Sequence, residues 1–133
     1  MTATIHGERV LTELDHVRLT KLQDARAYPA LESLLDLAEV MRSREVPADI
    51  VTMHSRITLV DTRTGQRDQM TLCYPPEADP AKGFLSVLSP VGMGLIGLRL
   101  GATAQWKTPG GEERSAQVEE ILYQPEASGE YTL

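Results

Sequence analysis

The chain has 133 residues, of which 41% are hydrophobic, 24% charged and 5% aromatic, and its formal net charge is −6. That size suits one ordinary domain, or a small domain with an appendage, around a core of Leu, Val, Ile and Met. The acidic balance and the lack of a long basic block exclude a general nucleic-acid footprint, no apolar run approaches a membrane span, and the single Cys73 excludes an intramolecular disulfide.

His6, Glu8 and Arg9 interrupt the start, so no signal-type apolar segment is expected there and the chain reads as a cytoplasmic, soluble protein. Residues 1–46 then carry helical periodicity. Leu11, Leu14, Leu22 and Ala25 fall near one face of a first helix, from about Thr12 to Arg26, with Arg18 interrupting the stripe. Thr12 is placed to cap its start. Tyr28-Pro29 stops this helix and opens a second, because proline suits a first helical turn. In the second, Leu31, Leu34, Ala38 and Met41 follow 3-4-3 spacing, widened by Leu35. Two apolar stripes with a very short connection predict an antiparallel helical hairpin, a short coiled coil; two helices lying flat on the domain are the alternative.

Pro47 ends the helical region, since the residue before a proline is pushed out of the helical well. Arg56 to Val60 is β-rich, Thr62-Arg63-Thr64-Gly65 carries turn chemistry, and Gln69 to Tyr74 returns as a hairpin partner. Pro75, Pro76, Asp79, Pro80 and Gly83 form a loop before a third run, Phe84 to Leu88. Ala102 to Lys107 is another strand, Pro109-Gly110-Gly111 a tight turn, Ser115 to Tyr123 its partner, and Glu130 to Leu133 a possible edge strand. The pattern predicts an α+β fold: a helical hairpin over 1–46, then an antiparallel sheet with one short helix over 47–133.

Gly92-Met93-Gly94-Leu95-Ile96-Gly97 matches G-x-G-x-x-G, but a dinucleotide site needs a helix continuing past the third glycine and then a parallel strand. Gly101 arrives four residues after Gly97, and the next strand runs into Pro109-Gly110-Gly111, which suits an antiparallel hairpin. His6, His16 and His54 are scattered without ligand spacing, so no metal site is expected. Ser55 and Ser89 sit in no nucleophile motif, and Glu112-Glu113 and Glu119-Glu120 read as solvated pairs. No catalytic residue and no cofactor are assigned.

The second half carries a more specific pattern. Glu77-Ala78-Asp79-Pro80, Lys82-Gly83, Leu85 to Gly92, Leu95-Ile96-Gly97, Gly101, Thr108-Pro109-Gly110-Gly111 and Val118-Glu119-Glu120-Ile121 occur in order. This resembles the C-terminal domain of the bacterial Gre transcript-cleavage factors. Val46 to Arg56 and Glu120 to Tyr131 look like the Rnk branch of that superfamily, named for regulation of nucleoside diphosphate kinase. The resemblance is dense from about Val46 onward and weak before it.

The resemblance implies an FKBP-like sheet wrapped on a short helix, and RNA polymerase, at its secondary channel, as partner. Nucleic acid would be met only through polymerase, by a monomer. It places the contact at Ser89, Pro90, Val91 and Gly92, although Ser89 and Pro90 also suit a simple cap and first turn. Gly97, Gly101, Pro109, Gly110 and Gly111 are pattern residues with structural roles; Gly92 is compatible with the pattern, and Gly94 stands where the family often has alanine. Gre factors deliver paired tip carboxylates to a catalytic magnesium ion through a long coiled coil. Here the helices reach only ~20–25 Å, and the tip, with Asp24, Arg26 and Tyr28, offers one carboxylate beside an arginine. Transcript cleavage is therefore not expected. A direct effect on nucleoside diphosphate kinase, or a prolyl isomerase on the implied fold, are the competing expectations.

Overall fold

The computed structural model describes residues 9–25, 28–108 and 110–130. A short strand β1 (Val10–Thr12) leads into α1 (Glu13–Ala25), which is followed by α2 (Pro29–Leu37) and β2 (Glu39–Met41). Thr12 caps α1 as its position predicts: its Oγ1 accepts the Asp15 backbone N–H at 2.9 Å. Pro29 occupies the first turn of α2.

The second helix is shorter than its apolar spacing predicts. The Ala38 N–H still bonds to the Leu34 carbonyl, but Ala38 itself is extended and the Glu39 N–H goes to the Arg9 carbonyl at 2.8 Å. From there β2 runs parallel to β1, pairing Val10 with Glu39 and Thr12 with Met41. Ala38 and Met41 therefore leave the helical stripe because tertiary strand pairing claims their backbone. Leu11, expected on the first helix, belongs to β1 for the same reason.

Five further strands form the main sheet: β3 (Arg56–Asp61), β4 (Arg67–Cys73), β5 (Phe84–Ser86), β6 (Thr103–Lys107) and β7 (Glu113–Tyr123), in the order β5-β4-β3-β7-β6. The β3–β4, β3–β7 and β6–β7 pairs are antiparallel, but β5 lies parallel to β4, against the all-antiparallel expectation. The loop from Tyr74 to Gly83 carries the chain back through two single helical turns, Pro75–Glu77 and Pro80–Lys82, so that β5 starts at the same end as its neighbour. A six-residue helix, α3 (Pro90–Leu95), connects β5 to β6. Glu130 is not in a strand, and the remainder of the expected edge strand lies outside the described residues.

One core serves both halves. Leu19 of α1 and Leu31 of α2 join Ile57, Leu59, Leu72, Leu95, Ile96 and Val118 in a single buried cluster. A fully buried Leu or Ile contributes roughly 1.5–3 kcal/mol, so the helices are held on the sheet by the same burial that closes it. Cys73 is buried near the end of β4, as expected.

Candidate docking site

The loop after β5 is built around Ser89. Its hydroxyl donates to the Ser86 carbonyl at 2.7 Å and accepts the Gly92 N–H at 3.0 Å, capping α3. Pro90 takes the first helical position and is exposed, Val91 is half-buried and Gly92 is buried. A Cβ on Gly92 would run into the Ser86 carbonyl oxygen and lie 2.8 Å from Val87 Cα. Gly92 is thus required for the helix to sit this close to the preceding turn. Gly94 is different: a Cβ there would meet the Gln105 carbonyl at 3.4 Å, ordinary contact for an alanine.

At the far end, Gly97 adopts φ +82, donates its N–H to the Val51 carbonyl at 2.7 Å and accepts the Val10 N–H at 3.0 Å. Gly101 adopts φ +90 and donates to the Val118 carbonyl. Both therefore need the left-handed freedom of glycine. The G-x-G-x-x-G match places its first two glycines inside α3, and β6 pairs antiparallel with β7, so no phosphate-binding turn is built here.

Arg9 braces α3 from outside the loop. Its Nη1 donates to the Met93 carbonyl at 2.7 Å and the Ile96 carbonyl at 3.0 Å, and burial lowers its pKa from the ordinary arginine value. Met93, Pro90 and Leu88 form one wall of a groove of about 580 Å³ whose other wall is α2.

Among the described residues, the connection between α1 and α2 gathers no comparable cluster. Asp24 is exposed in the last turn of α1. Tyr28 is half-buried against the core and donates its N–H to Gln23 Oε1 at 3.0 Å. Arg26 lies outside the described residues, as does Pro109. Gly110 is exposed, and Gly111, at φ +85, closes the β6–β7 turn by donating to the Thr108 carbonyl. Among the described residues no group of three or more His, Cys, Asp or Glu could hold a metal ion.

A polar joint between the helices and the sheet went unforeseen. Asp15 is 3% exposed, and its carboxylate accepts the Met53 N–H at 3.2 Å and the Tyr74 hydroxyl at 3.3 Å. Burial raises its pKa, against the opposing pull of those hydrogen bonds. Arg18 stands over the Tyr74 ring at 5.9 Å, and His54 meets the same ring edge-on. His54 holds an unusual φ of +69 and places Nε2 3.0 Å from Glu77 Oε1. Thr12 was legible as the cap of α1; that the Asp15 side chain turns away to the sheet had no local signal.

Comparison with known proteins places this architecture. Residues 46–123 match the family model described as "Transcription elongation factor, GreA/GreB, C-term". A solved structure titled "Prokaryotic transcription elongation factor GreA/GreB from Nitrosomonas europaea" superposes with a TM-score of 0.72 at 31% identity, covering 86% of this chain and 99% of that one. The fold and the capped α3 thus define a class, and the chain belongs to the GreA/GreB family. Within it, the chain is 38% identical over 130 residues to the "Regulator of nucleoside diphosphate kinase" of Escherichia coli, covering 93% of this chain and 96% of the relative. It is 30% identical over 121 residues to the transcription elongation factor GreA of Azorhizobium caulinodans, covering 91% of this chain and 71% of that protein.

Proposed function

We propose that this chain is a non-enzymatic transcription regulator that binds RNA polymerase near its secondary channel and competes there with Gre-type elongation factors, without stimulating transcript cleavage. One observation carries the reading: the GreA/GreB fold presents a capped α3 with an exposed Pro90, while the described tip of the hairpin presents the single carboxylate Asp24. Docking would use Pro90 and Val91 as rigid apolar contact, with Ser89 and Gly92 holding their geometry. In this reading residues 47–133 form an FKBP-like docking domain, residues 1–46 form a short coiled-coil appendage, and the protein acts as a cytoplasmic monomer.

The test is retention of core RNA polymerase on the immobilised full chain. Wild type is expected to retain polymerase and Pro90→Ala to retain less at unchanged stability. Failure of well-folded wild type to bind sinks the reading. The name of the Escherichia coli relative favours a second reading, contact with nucleoside diphosphate kinase itself. Co-purification of the kinase in the absence of polymerase distinguishes it.

A further inference from the structure

The two ends of the main sheet are finished differently. The β5 edge is closed at Phe84, which exchanges backbone hydrogen bonds with Asp79 of its own loop in both directions, at 2.9 and 3.0 Å. At the other end lies β6, and its register decides which groups point outward. The Val118 N–H bonds to the Ala102 carbonyl and the Thr108 N–H to the Glu112 carbonyl, and between these bonds Ala104 faces Ala116 and Trp106 faces Arg114. Bonded and non-bonded pairs alternate along an antiparallel ladder, so Ala104 and Trp106 spend their N–H and C=O groups on β7. Thr103, Gln105 and Lys107 turn theirs to the free side.

None of those outward N–H and C=O groups has a partner among the described residues, and Thr103, Gln105 and Lys107 are all exposed. The edge opens on the groove of about 580 Å³: Thr103 and Gln105 line it from β6, and Leu34 and Leu37 line it from α2. At the centre of the edge α3 contributes no side chain, because the residue beside Gln105 is Gly94, where a Cβ would lie 3.4 Å from the Gln105 carbonyl oxygen. Outward groups that repeat every second residue are complementary to an extended backbone. Proteins blunt such edges with bulges, a covering loop or charged side chains. Here β6 runs five residues in unbroken register, and its one charged residue is Lys107, which makes no ion pair among the described residues. A lysine here disfavours a second copy of the same acid-free strand and favours one that brings a carboxylate.

We propose that the free edge of β6 takes up an extended segment of a protein partner as an added strand, bonded through the backbone groups of Thr103, Gln105 and Lys107. The segment carries apolar side chains at alternate positions, facing the α2 wall, and a carboxylate where it passes Lys107. Its recognition is largely of backbone, with the alternation and the one acid supplying what selectivity there is. The inference concerns the sheet edge rather than the start of α3, and it does not depend on the docking reading.

The probe is a synthetic peptide of about eight residues that alternates Val and Thr and carries one central Glu. Bound to the full chain, it is expected to protect the Thr103, Gln105 and Lys107 amides from hydrogen exchange. The Ala104 and Trp106 amides, already bonded to β7, should stay as they were. Emission of the sole tryptophan, Trp106, which lines the groove, gives the affinity. N-methylation of alternate peptide amides is expected to cost about tenfold in affinity on the peptide edge that meets β6 and little on the opposite edge. Gln105→Pro removes one outward N–H and no bond to β7, so circular dichroism should show the fold kept while the affinity falls about tenfold. Should that variant fail to fold, the pair of methylated peptides makes the same test on the wild-type chain. Equal affinity for the two methylated peptides, or a Trp106 response without protection of those alternate amides, would overturn the proposal. So would protection that arises without peptide as the chain is concentrated, because a second copy would then fill the edge.

Discussion

At Asp15 an acid that belongs chemically in the exposed first turn of a helix is held almost wholly out of water. Its folded state binds the proton more tightly than the unfolded chain, where such a carboxyl titrates near 3.8. Asp15 therefore adds stability below that value and loses it as pH rises through its folded-state pKa. Asp15→Asn keeps an acceptor for the Met53 N–H and removes the titration. It is expected to equal or exceed wild type in stability at about pH 7, and urea unfolding from about pH 4 to about pH 7 is expected to fall less steeply than wild type. Parallel profiles would show that the ionised carboxylate is not a cost. Glu126, also raised by burial, is pushed further up by the Asp15 charge, so its titration relaxes downward in Asp15→Asn and adds to the difference in the same direction. The glycines of α3 give a second residue-scale test. Gly92→Ala forces a methyl into the Ser86 carbonyl and is expected to cost about 1–3 kcal/mol. Gly94→Ala is expected to gain up to about 1 kcal/mol, because glycine inside a helix is costly and the space exists. Denaturant midpoints of the pair decide whether G-x-G is one motif or two unrelated positions.

Among the elements, α3 depends on a cap that the sequence showed in Ser89-Pro90. Ser89→Ala loses the acceptor for the Gly92 N–H and the bond to Ser86, and is expected to cost about 1 kcal/mol of stability. Ser89→Asp keeps the acceptor and should recover much of it. Pro90 is exposed, so the stability of Pro90→Ala stays near wild type and its polymerase retention reports contact alone. The antiparallel strands were legible because alternation and turn chemistry coincide, as at Thr62 to Gly65 between β3 and β4. β1 and β2 were not. Each has three residues, and they pair across the whole helical segment, so no periodicity marks them. Ala38 and Met41 matched a helical spacing by coincidence, and the Arg9 carbonyl decided the matter by taking the Glu39 N–H. The parallel placement of β5 follows from the loop path through Asp79, which bonds to Phe84 in both directions, a tertiary closure without local pattern. The cap and first turn of α3 were legible in Ser89 to Gly92, whereas Arg9 reaches the Met93 carbonyl of the same helix from more than eighty residues away in the chain.

For the whole molecule, reach and anchorage decide what the family fold can do. The 13 residues of α1 span about 20 Å, and Leu19 and Leu31 tie both helices into the sheet's core. A hairpin this short and this firmly seated can brace a docked domain but offers little length for carrying acids away from it. In a stalled elongation complex with a Gre factor present, rising concentrations of this chain are therefore expected to slow Gre-stimulated transcript cleavage, with relief as more Gre factor is added. Pro90→Ala should shift the inhibition to higher concentration. The chain by itself is expected to leave the cleavage rate unchanged, and so is Arg26→Glu, which sets a second carboxylate two residues from Asp24. Cleavage stimulated by wild type alone would contradict the non-catalytic reading. Cleavage gained by Arg26→Glu would locate the deficit in tip chemistry, and its failure, with inhibition intact, would locate it in hairpin length.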